Sequence, residues 1–393
     1  MQKLTALVLP LILPLVLLAC SDDDPIQEPA GATCAAVETA KAPACDTTTL
    51  LEAPQNRAER GPWPVGARRV DIDGLPAEVW YPARSSTACP KPHSYDIREQ
   101  LPASEAKKIP DSENPFQQCD CYADLSLDAD HGPYPVVVMV HGLAGFRTLS
   151  LGLQTHWASR GFVVVAADHP GVRLRDLMLN LTGQPTGITA DQAGDLRRML
   201  AALRDPKDDL GFLRDKIDPS RVALIGHSAG GGAISALGDE AGVRLLAPMC
   251  SGGTKSGPNL ESTLVLGAEL DQLVAFGKQT SAAYDTSPKK KRLVGVGNAG
   301  HSLPTELCLL GADRGGILQI ALDNGVEVPS IIATLAKDGC QTGRLDAEQG
   351  LRVVQSVTSL ALEESLLCSS AATTALAQLQ TTHPEIIEFR EEL

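Results

Sequence analysis

Basic residues are scarce in this chain of 393 residues, which has 34 Lys and Arg against 48 Asp and Glu and a formal net charge of −14. A surface that binds nucleic acid or an anionic membrane needs positive charge, so this composition argues against both partners. The chain also lacks internal repeats and, after its first residues, any apolar run long enough to span a bilayer. Its hydrophobic content of 43% is nevertheless enough to bury a large core.

The amino terminus has the pattern of an export signal. Lys3 precedes an apolar run over residues 4–18, which is too short to span a bilayer and is interrupted by two prolines. The run ends in LLAC at Cys20, which resembles the bacterial lipobox, and an ordinary secretory signal is the alternative. We therefore expect a signal peptide over residues 1–19 and a lipid on Cys20. The protein would then be exported and anchored to a bacterial membrane, on the periplasmic or the cell-surface side.

The cysteine count becomes informative if the protein is exported. The chain has ten cysteines, and an odd number remains once Cys20 carries lipid. In an oxidising compartment we expect most of them to form disulfides and one to be left over. Cys119 and Cys121 have the spacing of a metal knuckle, but no second pair and no His at ligand spacing accompany them, so disulfides are preferred. We expect no metal and no organic cofactor.

Composition divides the rest of the chain into a tether and one large domain. Residues 20–60 are rich in Ala, Thr, Pro and acidic residues without apolar periodicity, which predicts a flexible tether. The folded domain is predicted over residues 61–393. Within it, residues 84–131 and 302–344 interrupt the regular pattern and are predicted to be insertions. The second insertion is a candidate cap over the site.

The domain shows alternating strand and helix patterns. A hairpin signal at Asp73-Gly74 opens it, and continuous apolar runs typical of strands buried on both faces follow. Leu196, Met199, Leu200 and Leu203 recur at helical spacing between two of these runs. The eight predicted strands cover residues 68–72, 77–81, 136–140, 162–167, 222–225, 244–249, 263–267 and 292–296. This order predicts an α/β fold with a mostly parallel eight-stranded sheet and helices on both faces.

The stretch RVALIGHSAGGG at residues 221–232 is the chain's most specific motif. A buried strand leads directly into the G-x-S-x-G pattern of a nucleophile elbow, which predicts Ser228 as a nucleophile. The glycines are needed because side chains would collide where the backbone doubles back. A glycine-rich strand–turn–helix without catalysis is the alternative that this pattern alone leaves open.

Two further strand ends carry the residues that such a serine needs. Asp271 and Glu269 both follow the strand at 263–267, where the acid of a catalytic triad would lie. Asp271 is preferred because it falls on the predicted tight turn, and Glu269 remains the alternative. His301 follows the strand at 292–296 in a loop of small residues, which predicts it as the base. The order Ser228, Asp271, His301 is the α/β-hydrolase order.

An oxyanion hole is expected beside the serine. The segment HGLAG at residues 141–145 directly follows the strand at 136–140, at the same edge of the sheet as the elbow. We expect the main-chain N–H groups of Leu143 and Ala229 to bind the oxyanion, because charge develops there only in the transition state. His141 is expected to brace this loop.

Several motifs resemble one known family. The segments GPWPVG at 61–66, EVWYP at 78–82, HGLAGFRTL at 141–149 and WASRGF at 157–162 resemble the platelet-activating-factor acetylhydrolase family and bacterial dienelactone-hydrolase-like proteins. The resemblance covers residues 61–301 and implies the α/β-hydrolase fold. It also implies the same site: Ser228 as nucleophile, His301 as base, Asp271 as acid, and Leu143 and Ala229 as oxyanion donors.

Together these patterns predict a serine hydrolase that cleaves a carboxylic ester through an acyl-enzyme, as carboxylesterases and lipases do. Phospholipid esters like platelet-activating factor are candidate substrates, but the insertions do not match the family, so that specificity does not transfer. The alternatives are a polyester or other lipid depolymerase, a C–C bond hydrolase, and a non-catalytic lipid-anchored binding protein. The expected partners are a small-molecule or lipid ester and, through the Cys20 anchor, a membrane.

Overall fold

A computed structural model of the chain describes residues 41–43, 49–86, 91–288 and 290–393. The predicted signal peptide, Cys20 and most of the predicted tether lie outside the described residues. Runs of apolar and β-branched residues form the strands. In chain order the strands are β1 (Lys41–Pro43), β2 (Thr49–Leu51), β3 (Val65–Ile72), β4 (Leu75–Pro82), β5 (Ser94–Tyr95), β6 (Gln117–Gln118), β7 (Tyr122–Ala123), β8 (Tyr134–Val140), β9 (Val163–Ala167), β10 (Ile217–His227), β11 (Val243–Met249), β12 (Ser262–Ala268), β13 (Lys291–Val296) and β14 (Ile386–Glu392).

The helices connect these strands or belong to the insertions. They are α1 (Ala103–Ala106), α2 (Leu151–Ser159), α3 (Leu174–Leu181), α4 (Gln192–Arg204), α5 (Ala229–Ile234), α6 (Ser281–Thr286), α7 (Ile317–Asp323), α8 (Ser330–Lys337), α9 (Ala347–Leu367), α10 (Ser370–Leu376) and α11 (Leu379–Thr382). Across the described ranges, no helix combines the length and the apolar character that crossing a bilayer requires.

One large sheet organises the domain. Its strand order is β14-β13-β12-β11-β10-β8-β9-β4-β3-β7, and all neighbours from β9 to β13 pair in parallel. The hairpin predicted at Asp73-Gly74 is formed by β3 and β4, which pair antiparallel. The mostly parallel α/β architecture predicted from the sequence is therefore confirmed, and each of the eight predicted strands is present.

The sheet nevertheless has ten strands and not eight. The two additional strands lie at its edges, where β7 pairs with β3 and β14 pairs antiparallel with β13. A strand of two residues such as β7 is too short to show a pattern, and β14 carries charged residues because an edge strand is only half covered. For these reasons both strands escape a search for apolar runs.

Helices cover both faces of this sheet, as predicted. In β8, Val137 and Met139 belong to the core cluster that also contains residues of α2 and α9, whereas Val138 belongs to the cluster that contains residues of α4. Alternate residues of a strand point to opposite faces, so α2 and α9 lie on one side and α4 on the other. The long helix α9 packs its apolar face, which includes Val353, Val354 and Val357, on the sheet.

The packed part of the chain begins earlier than the predicted boundary at residue 61. Leu50 is only 2% exposed and belongs to the core cluster on the α4 side. Arg57 forms an ion pair with Glu363 of α9, with a distance of 3.0 Å from Nη2 to Oε2, and the buried Arg160 pairs with the same carboxylate at 2.7 Å. Residues 49–60 are therefore part of the folded domain, because a buried carboxylate and the core both depend on them.

The two segments predicted to be insertions, residues 84–131 and 302–344, are called the first and the second insertion, and they are held in different ways. In the first insertion, Cys119 and Cys121 form a disulfide with each other, as the preferred interpretation of this pair required. In the second, Cys308 is bonded to Cys340 across a sequence separation of 32 residues. The second disulfide therefore closes a long loop that contains α7 and α8.

Removing the Cys308–Cys340 bond should destabilise the protein more than removing the Cys119–Cys121 bond. A disulfide stabilises mainly by restricting the unfolded chain, and the restriction grows with the length of the closed loop. The double variant Cys308→Ser/Cys340→Ser should lose about 3 kcal/mol of unfolding free energy, measured by urea unfolding. The matched control is Cys119→Ser/Cys121→Ser, and equal losses in both would contradict the loop-length argument.

Three buried histidines make the stability of the fold depend on pH. Burial lowers the pKa of His141 to about 4 and those of His156 and His227 to about 3. His156 lies in α2, where its Nε2 donates a hydrogen bond to the Arg57 carbonyl at 2.9 Å. The folded protein therefore keeps these rings neutral under conditions in which an exposed histidine takes up a proton.

We expect the free energy of unfolding to fall as the pH is lowered from about 6.5, the pKa of an unperturbed histidine. Below that pH the unfolded chain binds protons that the folded chain does not bind until its own, lower pKa values are reached. Each such histidine adds a slope of up to about 1.4 kcal/mol per pH unit, and none of this loss occurs above the unperturbed pKa. Thermal unfolding over this pH range should show a shallower slope for His156→Gln than for the parent, and identical slopes would refute the assignment.

Candidate active site

Ser228 occupies a strained turn between β10 and α5. Its backbone angles are φ 56° and ψ −121°, which L-residues rarely adopt. The Ser228 N–H donates to the carbonyl of Met249 at 2.9 Å, and the Ser228 carbonyl accepts a hydrogen bond from Ser251 Oγ at 2.7 Å. Both partners belong to the end of the neighbouring strand β11 or follow it, so the sheet itself holds the turn in this conformation.

Glycines make this turn possible. A Cβ atom on Gly226 would collide with the carbonyl group of Gly230, and one on Gly230 would collide with the Val140 carbonyl at the end of β8. A Cβ on Gly142 would lie 2.8 Å from the Ser228 Cβ. The steric reason predicted for the G-x-S-x-G spacing is therefore confirmed, and the loop after β8 lies directly against the serine.

His301 and Asp271 are hydrogen-bonded to each other, with 2.8 Å between His301 Nδ1 and Asp271 Oδ2. The other carboxylate oxygen of Asp271 accepts the main-chain N–H groups of Leu273 and Val274, each at 2.8 Å. The acid is thus fixed through both oxygens. Glu269 is exposed, and its carboxylate accepts the Asn298 N–H at 2.8 Å instead. Of the two candidate acids, Asp271 is the one that contacts His301.

Ser228 and His301 line the same cavity, which we call the nucleophile cavity, and Leu143, Ala144 and Ala336 also line it. Because the His301 Nδ1 atom is used by Asp271, its Nε2 atom is the ring nitrogen left to face a reacting group. The structure thus brings the three predicted triad residues together from the ends of three different elements. Parallel strands end at one edge of a sheet, which is why residues so distant in sequence meet there.

The two predicted oxyanion donors also lie beside Ser228. Leu143 follows Gly142, which touches the serine, and the Leu143 N–H has no hydrogen-bond partner among the described residues. Ala229 is the first residue of α5, where helical N–H groups have no partner within the helix. Both N–H groups are therefore available to an anion, and the amino end of α5 adds a partial positive charge.

Two neighbouring histidines hold the site in shape. His227 donates from Nε2 to the His301 carbonyl at 2.9 Å, and the centroids of the two rings are 4.7 Å apart. His141 Nδ1 donates to the Gly142 carbonyl at 2.8 Å, and its Nε2 accepts the His169 N–H at 3.1 Å. Burial lowers the pKa of both rings, so they act as neutral hydrogen-bonding groups. His141 braces its loop, as expected.

Sequence reasoning missed two residues that contact the site. Cys250 is the free cysteine among the described residues, and its buried thiol is hydrogen-bonded to Asp271 while burial raises its pKa. Asp338, in the second insertion, accepts the Gln272 N–H on its side chain at 2.8 Å and the Ser302 N–H on its carbonyl at 3.0 Å. The odd cysteine count was the one available signal for Cys250, and no pattern marks Asp338.

His227, Cys250 and His301 form the group of described residues whose ligand atoms are close enough to hold a metal ion, within 4.8 Å of one another. These side chains are already engaged, because His227 binds the His301 backbone and both Cys250 and His301 bind Asp271. A protonated thiol is also a poor metal ligand. The donor set therefore fits a hydrogen-bond network around the acid and the base.

Comparison with known proteins finds one matching family model. Residues 112–173 match the model of the family platelet-activating factor acetylhydrolase, isoform II. This segment includes both central motifs of the resemblance, at 141–149 and 157–162, and ends before Ser228. The resemblance recognised in the sequence is therefore confirmed.

Curated relatives match somewhat less than half of the chain. Cutinase est1 of Thermobifida alba is 28% identical over 182 residues, which cover 44% of this chain and 56% of that protein. The bis(hydroxyethyl) terephthalate hydrolase of Streptomyces coelicolor is 26% identical over 212 residues, covering 49% of this chain and 68% of that protein. The chain thus spans little more than half the length of the cutinase it matches.

A solved structure extends the similarity of fold. The ferulic acid esterase from Streptomyces cinnamoneus aligns with a TM-score of 0.54 over 80% of this chain and 92% of that one, at 22% sequence identity. At this identity the match concerns the fold, which agrees with the sheet described above. The sheet topology and this structural match show that the chain has the α/β-hydrolase fold.

Proposed function

We propose that the chain is a serine hydrolase that cleaves carboxylic esters through an acyl-enzyme. The observation that carries the proposal is the joint geometry of Ser228, at a strained turn, and the hydrogen-bonded pair His301 and Asp271, which reaches the same cavity. An isolated serine motif could be structural, but a serine, a base and an orienting acid in one site form a constellation with a specific chemistry. The names of the curated relatives, cutinases and a bis(hydroxyethyl) terephthalate hydrolase, support the same reaction class.

In the first half of the reaction His301 accepts the Ser228 proton at Nε2 while Ser228 Oγ attacks the ester carbonyl carbon. The oxyanion that forms is bound by the N–H groups of Leu143 and Ala229, each of which contributes roughly 10²–10³ in rate in comparable sites. When the intermediate collapses, the C–O bond to the alcohol breaks and His301 returns the proton to the leaving oxygen. A water molecule then repeats these steps on the acyl-enzyme and releases the acid.

The surrounding hydrogen bonds fit this cycle. Asp271 holds His301 as the tautomer with a proton on Nδ1, so Nε2 is free to act as a base, and it stabilises the imidazolium that forms. His227 fixes the backbone of His301 from the other side. Because burial lowers the pKa of His227, this ring stays neutral and does not compete for the proton in transit.

The substrate class that the site supports is a small-molecule or lipid ester. Phospholipid esters are a candidate because residues 112–173 match the acetylhydrolase family. A polyester hydrolase is the second candidate, since the relatives include cutinases and a bis(hydroxyethyl) terephthalate hydrolase. A polymer needs an open groove, whereas the second insertion lies beside the nucleophile cavity through Leu335 and Ala336. This wall favours a discrete ester.

Single substitutions should distinguish the proposed triad residues from neighbouring residues by their effect on kcat. Ser228→Ala should lower kcat for a soluble p-nitrophenyl ester by about 10⁴–10⁶, and Asp271→Asn should lower it by about 10⁴ because the imidazole then loses its correct tautomer. Glu269→Gln is the matched control, since this exposed acid follows the same strand and binds Asn298. The expected result for the control is wild-type kcat, and a large loss there would transfer the role of the acid to Glu269.

Covalent labelling tests the nucleophile independently of any chosen substrate. A fluorophosphonate probe should modify Ser228 in the folded chain, as located by peptide mass mapping, and should not label Ser228→Ala. If the folded, disulfide-intact protein is not labelled and hydrolyses no ester, the α/β-hydrolase fold serves here as a lipid-anchored binding protein instead.

We also propose that the protein is exported and carries lipid on Cys20. The disulfides formed by Cys119 with Cys121 and by Cys308 with Cys340 support an oxidising compartment, where such bonds persist. In a bacterial host, Cys20→Ser should move the protein from the membrane fraction to the soluble fraction and abolish labelling by radioactive palmitate. Cys34→Ser is the control and should retain both properties. Membrane retention of Cys20→Ser would exclude the anchor.

A further inference from the structure

A second cavity, which we call the cap cavity, lies next to the nucleophile cavity. It is enclosed by the first insertion, by α3 and by the second insertion, which contribute Leu101, Ile109, Met178, Ile320, Val326 and Ile332 to its wall. Several of these residues form a small apolar cluster separate from the main core. The two insertions therefore pack against each other around the cap cavity, in addition to packing on the sheet.

The two insertions are joined directly at the rim of this space. Lys108 Nζ of the first insertion donates to the Gly325 carbonyl of the second at 3.0 Å, and the Glu327 N–H donates to Glu105 Oε2 at 2.7 Å. Lys108 also pairs with Glu105, at 2.8 Å. These contacts bridge segments more than two hundred residues apart, so the cavity exists only when both insertions are docked.

The lining of the cap cavity is almost entirely apolar. Its polar members are Arg98 and Asn114, and both contact the Asp96 carboxylate. Arg98 Nη2 lies 2.6 Å from Asp96 Oδ2, and Asn114 Nδ2 donates to Asp96 Oδ1 at 2.9 Å. Neither residue brings an unpaired charge into the space. A cavity of this composition binds hydrocarbon, because burial of apolar surface is the interaction that it offers.

The cap cavity shares part of its lining with the nucleophile cavity. Ala144, Leu307 and Ala336 line both the cap cavity and the nucleophile cavity that contains Ser228 and His301. Ala144 directly follows Leu143, whose N–H is a candidate oxyanion donor. The hydrocarbon chain of an ester whose carbonyl lies at Ser228 would therefore pass beside these three small or apolar side chains to enter the cap cavity.

We propose that the cap cavity is the binding site for one unbranched hydrocarbon chain of the ester substrate, so that the two insertions select aliphatic esters by chain length. This inference rests on the proposed serine esterase function and specifies its substrate class. The occupant is part of the substrate because the cavity shares its wall with the nucleophile cavity. Either the acyl chain or the alcohol chain of the ester could supply this hydrocarbon, and the experiment below distinguishes them.

The test measures kcat/KM of the full-length, disulfide-intact protein on two series of esters. One series varies the acyl chain of p-nitrophenyl esters from about two to about twelve carbons, and the other varies the alkyl chain of acetate esters over the same range. Each methylene that enters the cavity should raise kcat/KM roughly threefold to fourfold until the space is full. A rise in the first series assigns the cavity to the acyl chain, and a rise in the second assigns it to the alcohol chain.

A variant that fills the cavity connects the effect to this site. Ala321, in α7, lines the cap cavity but not the nucleophile cavity. Ala321→Phe should therefore reduce the preference for long chains. In the series that shows the rise, the ratio of kcat/KM for the best ester to kcat/KM for the shortest ester should fall roughly tenfold or more. Leu322→Phe is the matched control, because Leu322 is the next residue of α7 and is 48% exposed. It should leave the chain-length profile unchanged. Ile332→Ala, which enlarges the cavity, should move the optimum to longer chains.

The outcomes separate this proposal from the function on which it rests. If Ser228 is labelled by the fluorophosphonate probe but kcat/KM is independent of chain length in both series, the cap cavity is not a substrate site and the esterase assignment stands. A chain-length profile that changes equally in Ala321→Phe and Leu322→Phe would also overturn the proposal. If no ester is cleaved and Ser228 is not labelled, both assignments fail together.

Discussion

The turn at Ser228 is the constraint on which the rest of the site depends. A serine with a positive φ is stable here only because Gly226 and Gly230 leave room for the reversal and because Met249 and Ser251 hydrogen-bond its backbone. Met249 ends β11 and Ser251 follows it, and the close contact at Gly230 comes from the end of β8. The backbone conformation of Ser228, the proposed nucleophile, therefore depends on the three adjacent parallel strands β8, β10 and β11, and a local loop could not provide it.

The proposed base, His301, is held in a similar way by contacts from several segments. His301 contacts Asp271 through its ring and His227 through its backbone carbonyl, and Asp338 accepts the N–H of the following residue. These groups are buried, where hydrogen bonds are strong and an unpaired polar atom is costly. Because both the ring and the backbone of His301 are hydrogen-bonded, its ring is held in one orientation. Asp338 also couples the second insertion to the catalytic edge, so docking of that insertion and order in the histidine loop are linked.

In the proposed esterase, the two insertions determine which substrates the site accepts. In an α/β-hydrolase sheet the catalytic residues lie at an open edge, and loops at that edge decide the substrate. Here the loop that contains α7 and α8 is closed by the Cys308–Cys340 bond and meets the first insertion over an apolar space. Because of this arrangement, an apolar wall lies on one side of Ser228. Such a wall suits a hydrocarbon chain better than a polymer surface.

The sequence by itself determined the strands and the order of the site. Central strands are buried on both faces, so their apolar runs are continuous and local, and Ser228, Asp271 and His301 could be found because each follows such a run. The edge strands β7 and β14, the boundary before residue 61, the choice between Glu269 and Asp271 and the contacts of Cys250 and Asp338 were decided only by the tertiary structure. The physical reason is that these features depend on contacts between distant segments, such as Glu105 with Glu327, and such contacts leave no periodic pattern in either segment. The same reason explains why the residues of the candidate site could be predicted from the sequence while the cavity beside it could not.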